Sequence, residues 1–321
     1  MTDYDGFDEL SERRRQKLKL LRFDQDQQDL VITEKPKETF EDVGGLEDVK
    51  KKVRLNFILP IKQPEVFAAY GKEVGGSILL FGPPGCGKTF LARSIAGEID
   101  ANFLHIELQA ILSMYVGQSE VNLHDLFERA RENKPCVVFI DELDAMGGSR
   151  NQMRQHHDRM LVNQLLLELD GIQAHNSGVF VIGATNTPWY IDSALRRPGR
   201  FNHMMFVQPP AEQERETILR LKLANKPVGK LDLGQIAKHT KYFSGADLEQ
   251  LVRDAVERAL ERTLETGEIQ PVEQADLLQA AKRRKATTLE WFSTAKNYAT
   301  FSDQNGDYEG ILTYMKSNGL K

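Results

Sequence analysis

The sequence predicts an α/β fold, a parallel sheet of five strands covered by helices on both faces, followed by a small all-helical domain. Two patterns carry this. Between about residues 40 and 210, apolar runs of strand length alternate with segments of helical period. Strands separated by helices run parallel and are buried on both faces. From about 211 to 285 the pattern turns wholly helical. A chain of 321 residues is long enough for one sizeable core and a smaller second domain.

Residues 1–37 read as an extension outside the core. They mix acidic stretches with Arg13, Arg14 and Arg15, hold few aromatics, and end in the loop-like Glu34-Lys35-Pro36-Lys37. A short helix over Glu9 to Phe23 has no clean apolar stripe, so a flexible tail and a partner-docking helix both stand as readings. Residues 38–210 form the expected α/β domain. Its strands are Ser77–Phe81, Asn102–Glu107, Cys136–Asp141, Val179–Ala184 and Met204–Val207, and Leu161, Val162, Leu165, Leu166 and Leu169 mark one helix face. Residues 211–288 form the helical domain. Leu248, Leu251, Val252, Ala255, Val256, Ala259 and Leu260 make an amphipathic stripe, with Ser244 as its N-cap and Asp247 in its first turn. Residues 289–321 are a helical tail, with stretches around Trp291–Tyr298 and Tyr308–Lys316 parted by the turn Gln304-Asn305-Gly306. Such a tail packs on its own domain or reaches a neighbour.

Composition narrows the class. No run approaches the ~18 apolar residues of a membrane span, and MTDYDGFDEL lacks the basic-then-apolar order of a secretory signal. Formal net charge is −5 with the signs mixed, which argues against nucleic acid as a partner. The run Lys282-Arg283-Arg284-Lys285 reads as a solvated helix end. Cys86 and Cys136 do not suggest a disulfide framework, so a reducing, cytoplasmic compartment is expected.

The strongest signal is Gly82-Pro83-Pro84-Gly85-Cys86-Gly87-Lys88-Thr89, directly after the apolar run ending at Phe81. Glycines let consecutive backbone N–H groups converge on phosphate oxygens, and the following helix offers the same anion its positive end. Lys88 supplies a charge for the β and γ phosphates of a nucleoside triphosphate, and Thr89 offers its hydroxyl to Mg²⁺. A purely structural glycine turn needs no Lys-Thr pair. The second motif is Val137-Val138-Phe139-Ile140-Asp141-Glu142, a strand ending in paired carboxylates. Asp141 is placed to hold Mg²⁺, and Glu142 to polarise the attacking water; the bland alternative is an acidic helix cap. Cys86 reads as a small residue that fits the loop; the alternative, from its place beside a helix N-terminus, is a lowered pKa and a block of ATP binding by thiol reagents.

With these motifs the chain from about 39 to 285 resembles the AAA ATPases, in the protein-remodelling branch of cell-division-cycle and proteasomal type, with a single ATPase module. Phe40 to Leu46 is similar to the segment that borders the adenine in that family. The resemblance implies nucleotide contacts from Asp42 and Gly44, from each of Gly82, Pro83, Pro84, Gly85, Cys86, Gly87, Lys88 and Thr89, from Phe90, and from Gly245 and Ala246. Gly183-Ala184-Thr185-Asn186 resembles the sensor-1 element, so Asn186 would hold the lytic water or γ-phosphate opposite Glu142. Arg197 and Arg200, in DSALRRPGRFN, stand where the family carries arginine fingers that reach the neighbouring subunit's ATP. One of them acting only as a structural ion-pair partner is the alternative, and Arg200 is the better candidate for that.

Ala246 stands where wider AAA+ relatives place a sensor-2 arginine, and Lys222 where many relatives place an adenine-facing histidine. Met114, Tyr115 and Val116, with Gly117, resemble the aromatic pore loop that grips polypeptide. Gly147-Gly148-Ser149-Arg150, near His156 and His157, resembles the second pore loop. The resemblance implies an ATP- and Mg²⁺-dependent ATPase assembled as a homo-oligomeric ring, a hexamer, that works as an unfoldase or chaperone on polypeptide. Either the extension docks an adaptor, or the client is recognised directly at the pore. A nucleic-acid-handling ATPase and an ATP-switched scaffold are the competing classes.

Overall fold

The computed structural model describes residues 31–70, 76–108, 111, 118–146, 155–174, 178–197, 199–201, 203–303 and 306–320. Its sheet contains β1 (Val31–Glu34), β2 (Gly76–Phe81), β3 (Asn102–Glu107), β4 (Cys136–Asp141), β5 (Val179–Thr185) and β6 (His203–Phe206). The spatial order is β1-β3-β4-β5-β2-β6. The five expected strands are present and run parallel to one another. Their β-branched and aromatic residues explain the burial: all seven positions of β5 are buried, as a strand covered on both faces requires. Alternation sends Val138 and Ile140 to one face and Val137 and Phe139 to the other.

The sixth strand differs from expectation. Val31–Glu34 lies inside the segment read as an extension, yet it pairs antiparallel with β3, Val31 opposite Ile106 and Glu34 opposite Phe103. Ion pairs from Arg93 to Glu34 and Glu38 fasten this stretch to the core. The possible helix over residues 9–23 lies outside the described residues.

Helix α1 runs from Glu47 through a π-helical stretch at Arg54–Ile58 to Lys62, and α2 is Pro64–Ala69. With α3 (Lys88–Glu98), α1 covers one sheet face. On the other face lie α4 (Gln118–Glu132) and α5 (Gln155–Ala174), where Leu161, Leu165 and Leu169 are fully buried. The lid contains α6 (Glu212–Leu223), α7 (Leu233–His239), α8 (Gly245–Thr266) and α9 (Gln274–Arg283) around its own core. Ser244 caps α8 through the Asp247 amide, and the Asp247 carboxylate returns a bond to the Ser244 amide. Within the basic run after α9, Arg284 grips both oxygens of Asp254 on α8, at 2.5 and 2.8 Å.

The tail forms α10 (Thr288–Phe301) and α11 (Glu309–Asn318), which pack back on the chain's own α/β domain. Trp291, Phe292, Tyr308 and Ile311 share a buried cluster with Phe81, and Phe206 packs against it. Among the described residues no helix is long and apolar enough to cross a membrane.

Candidate active site

A cleft of about 720 Å³ opens at the carboxyl ends of the parallel strands, where the lid meets the sheet. It collects the residues that the motifs singled out: Asp42 and Gly44, the loop from Pro84 to Phe90, Asp141, Glu142, Asn186, Gly245 and Ala246. Gly82 and Pro83 stand behind it, joined to it by Lys88. The resemblance placed Lys222 there, and it does line the cleft, but its ammonium is engaged by Glu249 at 2.6 Å.

The loop after β2 depends on the absence of side chains. Gly85 and Gly87 have φ of +73° and +86°. A Cβ at Gly82 would sit 2.3 Å from the Val207 carbonyl, and one at Gly85 would sit 2.7 Å from the Ala246 Cβ. The second contact shows how closely the lid rides on the loop; the Ala246 amide donates to the Gly85 carbonyl at 3.2 Å.

Lys88 opens α3 and is buried. Its ammonium donates to the carbonyls of Gly82 and Pro83, both at 2.9 Å, and to Oδ1 of Asn186 at 2.7 Å. The first and third strand ends of the site thus meet on one cation. Burial pulls the Lys88 ammonium from 10.5 down to about 8, although Asp141 and Asp144 oppose the fall. Beside it, the Thr89 hydroxyl donates to Oδ2 of Asp141 at 3.3 Å. Two hard oxygen donors next to a side-chain-free cradle and a buried cation fit a Mg²⁺-nucleotide, with Thr89 and Asp141 as the residues that would hold the metal. When bound, Mg²⁺ would neutralise charge on the phosphates.

Glu142 follows with φ of +54°, a left-handed conformation that costs a glutamate free energy. Its amide donates to Oδ1 of Asp141 at 2.8 Å, which helps to hold the turn. Partial desolvation, then the charges of Asp141, Asp144 and Glu107, raise its pKa above the usual carboxylate value. A carboxylate held exposed at the lip of the cleft with raised basicity suits a group that polarises water.

Cys86 departs from the lowered-pKa alternative. Burial pushes its thiol up to about 12, outweighing the Lys88 charge that favours the thiolate. Burial thus works against the thiolate that the helix N-terminus favours.

Arg197 and Arg200 are absent from the cleft lining among the described residues. Arg200 is committed within its own subunit: it grips Asp170 at 2.7 and 2.8 Å and donates to the Ala194 carbonyl at 2.9 Å. Arg197 follows the 3₁₀ turn Ser193–Arg196 and is exposed. Met114, Tyr115, Val116 and the Gly147–Arg150 loop lie outside the described residues, as do the side chains of His156 and His157.

Sequence reading missed three participants. Asp144 accepts from the hydroxyls of Thr185 and Thr187, at 2.6 and 2.8 Å, and so ties the Asp141 turn to the Asn186 turn; the third acid in DELD was its only signal. Glu214 lines the cleft under Gly45, and burial raises its carboxyl. Trp291 donates its indole N–H to the Asn186 carbonyl at 2.5 Å from 105 residues away, with no local signal at all.

Fold and site together define a P-loop NTPase core with a helical lid. Residues 78–209 match the model of the ATPase family associated with various cellular activities (AAA), and residues 230–279 match the AAA+ lid domain. The chain carries an AAA ATPase domain followed by an AAA+ lid domain. An ATPase domain of this kind implies nucleotide binding and ATP-driven activity.

Proposed function

We propose that the protein hydrolyses ATP with Mg²⁺ in a homo-oligomeric ring, probing and pulling polypeptide as a cytoplasmic unfoldase or disassembly motor. The convergence of Lys88, Thr89, Asp141, Glu142 and Asn186 on one cleft is the observation that carries the hydrolytic reading. Lys88 neutralises phosphate charge, Asn186 is already within hydrogen-bond reach of that cation, and Glu142 orients water from the end of the neighbouring strand β4.

Assembly follows from what the cleft lacks. A developing negative charge on the γ-phosphoryl oxygens calls for a guanidinium, and among the described residues none of the three arginines of the segment 192–202 lines its own cleft; Arg196 pairs with Asp307. Arg200 is held by Asp170, so Arg197 is the residue assigned to a neighbour's ATP. A head-to-tail contact of this kind closes into a ring or runs into a spiral; six subunits is the number the family resemblance suggests. Met114, Tyr115 and Val116 are assigned to the grip, and residues 1–30 to an adaptor.

The test is ATP-dependent unfolding of a fluorescent protein bearing an unstructured tail. Wild type should extinguish the fluorescence, and Tyr115→Ala should abolish unfolding while retaining ATP turnover. Turnover stimulated instead by DNA or RNA, with steep salt dependence, would replace the pulling reading with nucleic-acid handling.

A further inference from the structure

We propose that the C-terminal hairpin α10–α11 is a positioning element of the nucleotide site, acting through Trp291 on Asn186. The inference rests on the ATPase reading and assigns a new residue to it. Three separate contacts bring the hairpin to three loops of the site. Trp291 donates to the Asn186 carbonyl at 2.5 Å, so the residue whose amide group meets Lys88 has its backbone clamped from behind. Tyr308 packs edge-on against Phe81, centroids 6.0 Å apart, and Phe81 is the residue directly before the phosphate loop. Asp307 pairs with Arg196 at 3.4 Å, next to Arg197.

The packing around Trp291 explains how one bond can hold position. Its ring stacks on Phe206 at 6.1 Å and meets Phe292 edge-on at 5.2 Å. Trp189, three residues past Asn186, stacks flat on Tyr298 of α10 at 4.7 Å and 3°. The Asn186 turn is therefore pinned on both sides of one short segment. At its far end the hairpin also holds the lid, because the Asn318 carbonyl accepts from the Tyr242 hydroxyl at 2.6 Å and from Lys241 at 3.2 Å. A rigid strap touching the phosphate loop, the Asn186 turn, the Arg197 segment and the lid couples their positions. Preorganisation of this kind acts on the chemical step more than on ground-state binding.

The test compares Trp291→Phe, and the isosteric benzothienyl analogue of tryptophan placed at 291, with Phe292→Leu as a packing control. The isostere keeps the bicyclic ring and loses only the N–H. Both position-291 variants should lower kcat for ATP about tenfold, with KM and the affinity for a fluorescent ADP within about twofold of wild type. Phe292→Leu should lower the melting temperature at least as much and kcat far less. The protein has two tryptophans, Trp189 and Trp291, with rings 5.9 Å apart. Their emission should therefore differ between ADP and ADP·beryllium fluoride in wild type, and this difference should shrink in Trp291→Phe. Wild-type kcat in the isostere, or an equal loss of kcat in Phe292→Leu, would overturn the proposal while leaving the ATPase reading intact. A wild-type protein that neither binds nor hydrolyses ATP would overturn both.

Discussion

Lys88 is the residue at which folding and function pull in opposite directions, and replacing it with methionine separates the two. Its ammonium is buried beside an apolar sheet and titrates near 8 instead of 10.5. That gap corresponds to about 3 kcal/mol by which the charge opposes folding of the nucleotide-free protein. The sign follows from proton counts. Below pH 8 both folded and unfolded chains hold the proton and the whole cost is present. Between 8 and 10.5 the unfolded chain holds a proton that the folded chain has released, so wild-type stability rises with pH relative to the variant. Methionine keeps most of the apolar volume and removes the charge, at the cost of the bonds to the buried carbonyls of Gly82 and Pro83. Lys88→Met should then be more stable than wild type near neutral pH, by up to about 3 kcal/mol, and the difference should close towards pH 10.5. Urea melts at several pH values measure this. Saturating ATP at a hundredfold excess over Kd should add about 2.7 kcal/mol to wild type and nothing to the variant. A variant destabilised by more than about 1 kcal/mol near pH 7 would refute the reasoning, because the carbonyl and Asn186 bonds would then outweigh the cost of burial.

Three further outcomes follow from the same geometry. Glu142→Gln should bind ATP as tightly as wild type and turn it over at least about a hundredfold more slowly, as nucleotide titration and phosphate release would show. Ser244→Ala removes the cap that Asp247 reciprocates and should lower stability by about 1 kcal/mol in denaturant melts. Cys86, its thiol pushed up to about 12, should react with iodoacetamide near neutral pH much more slowly than glutathione does, as mass spectrometry would quantify. Labelling as fast as a free thiol would mean that the cleft is far wetter than its packing implies.

How legible the protein was depends on whether its interactions are local. The glycine loop, Lys88 and Thr89 are consecutive, and β4 ends in its two acids, so strand, loop and chemistry could be read from adjoining residues. Ser244 and Asp247, at capping-box spacing, announced α8 for the same reason. The strand Val31–Glu34 escaped because four residues at a sheet edge carry little periodic signal, and what fixes them is pairing with β3 and the ion pair of Glu34 with Arg93 some 59 residues away. In sequence Arg200 was only slightly the better candidate for a structural ion pair than Arg197; Asp170 on α5 supplies that partner. Cys86 shows a local rule losing to an environment: the helix N-terminus favours the thiolate, but burial decides. The tail's docking was open in sequence because aromatics such as Trp291, Phe292 and Tyr308 do not name the surface they cover.

The central claim is that neighbouring subunits complete each other's sites, and mixing wild type with Arg197→Ala tests it most directly. ATPase rate per subunit should rise with wild-type concentration, nearly vanish in pure Arg197→Ala, and fall more steeply than in proportion when the two are mixed. A rate independent of concentration, untouched by Arg197→Ala and merely averaged on mixing, would mean that each chain acts alone, and would contradict the account.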